Sequence, residues 1–245
     1  MAVAANIDQA LGKDNRKRFI TGVISAVNNN AALQECTNKS ILSGALLGES
    51  LKLSPSPQLG HYYLVPFNDK EQGKVAQFQL GYKGYIQLAI RSGQYKKLNV
   101  LAVKEGELEY FDPLNEEIKI NLMVDKWDER EEAPTIGYYA MFEYTNGFKK
   151  AIYWSKKKME AHALKYSKGY AAKKGYAFWE KDFDGMAYKT MLRQLISKWG
   201  IMSIDLQNAF ENDMTFTDDQ GKVNYPDQDT EPVMDVEVSE AVPDN

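Results

Sequence analysis

The chain has little with which to build a redox, hydrolytic or membrane-spanning device. Its one cysteine, Cys36, permits no intramolecular disulfide and fits a reducing cytoplasm. The two histidines, His61 and His162, stand far apart with no cysteine cluster beside either. A zinc site, a Ser-His-Asp triad or a Cys-His pair therefore has little to draw on. No apolar run approaches the roughly 18 residues that a spanning helix needs. The first residues, MAVAANIDQALGKDNRKRF, lack a basic-then-apolar secretory pattern. There is no GxxxxGK[ST] loop, which argues against a P-loop ATPase, and the glycines of GYKG (81–84) do not match a dinucleotide fingerprint. No cofactor and no metal is expected.

Acidic residues are also missing where they would be expected. The formal net charge is −4, yet residues 72–104 carry six basic side chains and no acidic one. Residues 211–245 hold eleven acids and one base, Lys222, a net −10 that leaves +6 for residues 1–210. A second basic window, 149–198, has thirteen Lys/Arg against four Asp/Glu. Positive charge gathered in two windows is the footprint of a polyanion binder. The acidic end segment is poor in large apolar residues and is expected to be disordered, competing weakly with a polyanion for the basic surface or docking a partner.

Hydrophobic spacing organises the rest. Phe19, Ile20, Val23, Ile24 and Val27 recur at helical period, and a second helix is expected from Thr37 or Asn38 to the Pro55 region. HYYLVPF and VAQFQL read as paired strands, with Pro66 marking an edge. Tyr82, Tyr85, Ile86, Ala89 and Ile90 form the apolar stripe of a helix over 82–92, while Lys83, Gln87 and Arg91 form a separate polar stripe at four-residue steps. YKKLNVLAV, ELEYF and EIKINLMV read as extended and WDEREEAP as an acidic loop. IGYYAMFEY and FKKAIYWS flank the hairpin signal Thr145-Asn146-Gly147. A long helix is expected around 179–199, with Phe183, Ala187, Met191, Leu195 and Trp199 on one face and Lys189 and Arg193 on another. The expected fold is α+β: a mainly antiparallel sheet packed with helices, an N-terminal helical pair and a C-terminal long helix. The expected division is a flexible N-terminus (1–15), a core (16–212) and a disordered acidic tail (213–245).

The chemistry that remains is basic residues interleaved with aromatics. One set is Tyr82, Lys83, Tyr85, Arg91, Tyr95, Lys96 and Lys97. The other runs from Tyr153 and Trp154 through Lys156, Lys157, Lys158, Lys165, Lys173 and Lys174 to Tyr176. Lysines neutralise phosphates and aromatic faces stack on bases, although Tyr85, Trp154, Trp179 and Trp199 are expected in the core. Carboxylates offer a competing reading, a Mg²⁺-dependent nuclease using Asp182 and Asp184 or Glu105, Glu107 and Glu109. Alternation in EGELEY instead puts those three glutamates on one solvated strand face, which is the favoured reading.

The strings FQLGYKGYIQLAIRSGQYKKLNVLAVKEGE and FWEKDFDGMAYKTMLRQLISKW, with SILSGALLGESLKLSP before them, resemble the RecT family of phage and prophage single-strand annealing recombinases over roughly residues 16–210. Lys52 and Ser54 depart from the Gly-Leu-(Asp/Asn)-Pro turn common in that family. The resemblance implies a non-enzymatic protein that binds single-stranded DNA, anneals complementary strands without ATP and assembles into rings or helical filaments. It also implies a 5′→3′ exonuclease partner and contact with a host single-strand-binding protein. It carries Tyr82, Lys83 and Arg91, and Lys189 and Arg193, over as DNA-binding residues. Charge adds Lys96, Lys97, Lys104, Lys149 and Lys150, and the polar stripe adds Gln87. A passive single-strand coat is the third reading.

Overall fold

The computed structural model describes residues 13–70, 72–175, 177–217 and 223–224. The chain opens with helices α1 (Lys13–Asn28), α2 (Ala31–Gln34) and α3 (Asn38–Ser50). Thr37 caps α3, its hydroxyl accepting from the Ser40 N–H, and the Ser40 hydroxyl accepts from the Ala76 N–H at 2.8 Å. That bond ties α3 to the hairpin of β1 (Tyr62–Asp69) and β2 (Gly73–Leu80), in which Pro66 faces Ala76. Proline is accommodated because β1 pairs on one side only among the described residues.

Helix α4 (Tyr82–Arg91) leads into β3 (Tyr95–Lys104), followed by the hairpin β4 (Leu108–Asp112) and β5 (Glu117–Ile120). After a short helix, α5 (Trp127–Glu132), β6 (Thr135–Tyr144) and β7 (Lys149–Ser155) complete an antiparallel sheet in the order β3-β6-β7. Gly147, at φ +90°, makes the β6–β7 turn. Then come α6 (Lys156–Tyr166), α7 (Lys168–Ala171), α8 (Phe178–Lys181), α9 (Phe183–Trp199) and α10 (Ile204–Asn212), with β8 (Phe216–Thr217) and β9 (Val223–Asn224) as a last small pair. The protein is α+β, with its sheets antiparallel.

Two cores share α9. Its Ala187, Met191 and Leu195 pack on the sheet residues Tyr138, Ala140 and Phe142, with Met159 and Trp179 closing the far side. Its Leu192 and Ile196 pack instead with Phe19, Ile41, Tyr62, Phe78, Tyr85 and Leu88. A helix buried on two faces needs apolar residues at adjacent positions, which the pairs Met191-Leu192 and Leu195-Ile196 supply.

Several expectations change. Residues 127–132 of the acidic loop are helical, because Arg130 turns inward to Glu107, with Nε 2.6 Å from the carboxylate. Glu107 is fully buried rather than on a solvated face, and also accepts the N–H groups of Lys104 and Met123. Ile90 and Trp199, placed on apolar stripes, are exposed, whereas Leu88 and Ile196 take the inner positions. The long helix is interrupted at Asp182, whose carboxylate caps α9 by accepting from the Gly185 N–H. The core continues past residue 212: Asp213 and Thr215 are buried, and Phe78 exchanges backbone hydrogen bonds with Thr215 and Met214. Residues 218–222 and 225–245 of the acidic segment, and residues 1–12, lie outside the described residues.

Candidate nucleic-acid interface

The first turn of α4 lies directly on the backbone before β1. A methyl group added at Gly81 would sit 2.2 Å from the Gly60 carbonyl oxygen, and one at Gly84 would sit 2.1 Å from that of His61. Only glycine allows this approach, so the GYKG pattern serves close packing. With that side of the helix pressed inward, Lys83, Gln87 and Arg91 are exposed along the other, as the polar stripe requires. Arg91 donates to the carbonyls of Leu51 (2.5 Å) and Lys52 (3.4 Å), capping the end of α3, and has no carboxylate partner among the described residues. Lys83 likewise has none, and its ammonium lies 6.0 Å from the Tyr82 ring centroid. Tyr82 itself leans edge-on against Tyr188. Burial lowers the His61 pKa, and Arg91 and Lys83 lower it further, so both cations act on one spot.

A second cluster stands at the start of β3. Cross-strand register sets Lys97 opposite Glu143, and Glu143 opposite Lys149. Lys96, Lys97 and Lys149 place their ammonium groups 2.7, 3.7 and 3.5 Å from the Glu143 carboxylate, leaving a local net charge of +2. The hydrogen bond from Lys96, with the field of the other lysines, holds the Glu143 carboxyl below the ordinary range. A groove of roughly 480 Å³ joins this cluster to α4, lined by Ile86 and Ile90 on the helix and by Lys96, Lys97, Leu98 and Asn99 on β3.

Four other basic candidates are held by protein partners. Lys189 is buried, its ammonium 3.1 Å from the Asp213 carboxylate. Arg193 donates to the same carboxylate at 2.8 Å and to the Tyr85 hydroxyl at 3.3 Å, and remains partly exposed. Burial alone would raise the Asp213 pKa, but Lys189, Arg193 and the Leu80 N–H together hold it below the ordinary carboxylate range. Lys150 is buried between Glu116 and the Trp199 ring, 3.5 Å from the ring centroid. Lys104 donates to the Ala133 carbonyl at 2.9 Å, seven strand residues or roughly 23 Å along β3 from Lys97. Lys96 and Lys97 thus line the groove and Lys149 joins them at Glu143, while Lys83, Gln87 and Arg91 lie exposed on the helix that supplies its Ile86 and Ile90. Lys104, Lys150, Lys189 and Arg193 are engaged by protein partners.

The lysines of α6 form a further basic surface, resting on rings rather than on carboxylates: Lys158 on Trp154 (4.4 Å), Lys165 on Tyr166 (5.1 Å) and Lys156 on Phe183 (5.7 Å). Four of the five carboxylates weighed as metal ligands are engaged otherwise. Asp182 is the α9 cap, Asp184 accepts from the Tyr138 hydroxyl at 2.6 Å, Glu107 faces Arg130, and Glu109 pairs with Lys119. Among the described residues, no three His, Cys, Asp or Glu side chains gather as metal ligands would. No described helix is long and apolar enough to cross a membrane. Asp213 and Glu143 were not singled out from sequence. The available signal for Glu143 was a lone charge inside the apolar strand YYAMFEY.

Comparison with known proteins agrees with the sequence resemblance. The model of the RecT family matches residues 17–229. The uncharacterized protein YqaK of Bacillus subtilis (strain 168) is 41% identical over 215 residues, covering 87% of this chain and 70% of that protein. Protein RecT of Escherichia coli (strain K12) is 32% identical over 201 residues, covering 80% of this chain and 71% of that protein.

Proposed function

The chain belongs to the RecT family of phage-type recombination and annealing proteins, and from that premise we propose that it anneals complementary single strands of DNA without ATP along the α4–β3 groove. The observation that carries this reading is the exposed line Lys83–Gln87–Arg91 on α4, the helix whose Ile86 and Ile90 line a groove rimmed by Lys96 and Lys97. Lys83 and Arg91 stand eight positions apart on the helix, a span of roughly 12 Å. At about 3.4 Å per phosphate of a stacked strand, that covers three to four phosphates. Lys83 and Arg91 lack carboxylate partners among the described residues, so phosphate contact displaces no ion pair there.

Cations that grip only sugar-phosphate leave base edges free for a second strand, so pairing supplies the sequence reading. Lysines along the groove also offset the repulsion between two polyanions. The few nucleotides that one protomer holds discriminate poorly between registers. The protein is therefore read as acting in an oligomer, ring or filament, in the bacterial cytoplasm, beside a 5′→3′ exonuclease and the host single-strand-binding protein.

The test mixes labelled complementary oligonucleotides with the protein, with and without Mg²⁺ and with no nucleotide cofactor, across a salt series. Duplex should form faster than in buffer. If Lys83, Arg91, Lys96 and Lys97 each hold one phosphate, log K should fall with log salt at a slope of about −3. Cleaved strands would indicate the nuclease, and slowed pairing would indicate the passive coat.

A further inference from the structure

We propose that the groove between α4 and the outer edge of β3 also takes an extended peptide of alternating acidic and apolar residues, and that its occupant is the chain's own segment Val233–Glu240. β3 pairs with β6 on one side, and among the described residues no strand pairs with its other side. Ala102 turns its carbonyl away from β6 to the Arg130 guanidinium, at 2.9 Å. Between Lys97 and Val103 the register is regular, so by the two-residue period Val100 and Leu98 present their N–H and C=O groups to the same outer side. An open edge of this kind is a template for strand addition.

The two faces of that edge differ in their wall chemistry. On the α9 side lie Leu98 and, from α4, Ile86 and the exposed Ile90. On the opposite side stand Lys96 and Lys97, both drawn to Glu143. A strand added here must show apolar side chains to one face and acidic ones to the other. Residues 225–245 contain seven acids and no base, and within them Met234-Asp235-Val236-Glu237-Val238 alternates at period two. Met234, Val236 and Val238 meet the isoleucines while Asp235 and Glu237 meet the lysines. From Asn224, the nine residues to Val233 extend up to roughly 30 Å, enough to reach this edge on the same protomer or on an adjacent one.

Docking stands on the edge and the walls alone. Its consequence, that the segment and DNA exclude one another, rests on the proposed function, because Lys96 and Lys97 serve both. The full-length protein and its Val236→Pro variant are compared by hydrogen exchange and by single-strand affinity at low salt. Proline removes a donor and breaks the added strand. The Leu98 and Val100 amides should be protected in the parent and exchange at least tenfold faster in the variant, while single-strand affinity rises several-fold. Ile90→Asp should reproduce the faster exchange from the groove side. Amides that exchange alike in parent and variant overturn the docking whatever DNA does. Faster exchange with unchanged affinity upholds docking and moves the DNA site elsewhere.

Discussion

Arg193 and Asp213, twenty residues apart in sequence, meet with Nη1 2.8 Å from a carboxylate that is fully buried. Lys189, the Tyr85 hydroxyl and the Leu80 N–H complete the ring of donors around that carboxylate, so one side chain joins β2, α4, α9 and the segment after α10. Asp213→Asn keeps the shape but strands Lys189 without its counter-charge. It should lower stability by about 3–5 kcal/mol in denaturant unfolding.

Lys189→Met discriminates between a structural cation and a phosphate contact. A buried ammonium should show its loss as a lower unfolding midpoint, with the salt slope of strand binding unchanged in the fraction that remains folded. A reduced slope without destabilisation would return Lys189 to the DNA surface.

Glu143→Gln removes the one acid among Lys96, Lys97 and Lys149, changing the cluster from +2 to +3. Single-strand affinity should rise at low salt and converge with the parent's as salt screens the patch. Lys83→Ala with Arg91→Ala should act the other way, flattening the salt slope by about 1.4 if each cation holds one phosphate. Loss of the Arg91 cap on α3 should cost that variant only about 1 kcal/mol of stability.

The buried carboxylates set the acid limit. Asp213 and Glu107 are both held below their ordinary pKa: burial opposes this, but Lys189 and Arg193 overcome it for Asp213, and the Lys104 N–H and Arg130 for Glu107. A lowered folded pKa contributes stability that is complete above the unfolded value, near 4, and is lost as pH falls toward the folded value. The thermal midpoint should therefore hold between about pH 7 and 5 and drop below about 4. Arg130→Ala should remove part of that acid limb and lower stability by about 3–5 kcal/mol at neutral pH.

Helical and strand periods were legible wherever one face is buried and the other wet, as in the β6–β7 hairpin and the polar stripe of α4, although there Ile90 faces solvent and Leu88 lies inside. They failed where burial is ionic. Glu107 and Arg130 lie 23 residues apart, and no local pattern announces that an acid in EGELEY will be enclosed by a base in WDEREE. For the same reason Lys189 and Arg193 read as surface cations: their partner, Asp213, stands at the edge of the acidic end segment, where one more aspartate attracts no notice. The α4 stripe was readable because its neighbours in sequence supply no acid, and solvent exposure there needs no distant partner.

The close seat of Gly81 and Gly84 on residues 60–61 has a mechanical consequence. With no side chain between helix and loop, α4 cannot slide or tilt without carrying that loop along, so the two behave as a geared pair. Tyr85, the next residue after Gly84, hangs from the same turn and bonds to Asp213. A pull on Lys83 from outside is thereby transmitted through one rigid turn of helix to the carboxylate hub, and from there to the stretch of chain that leads into the acidic end.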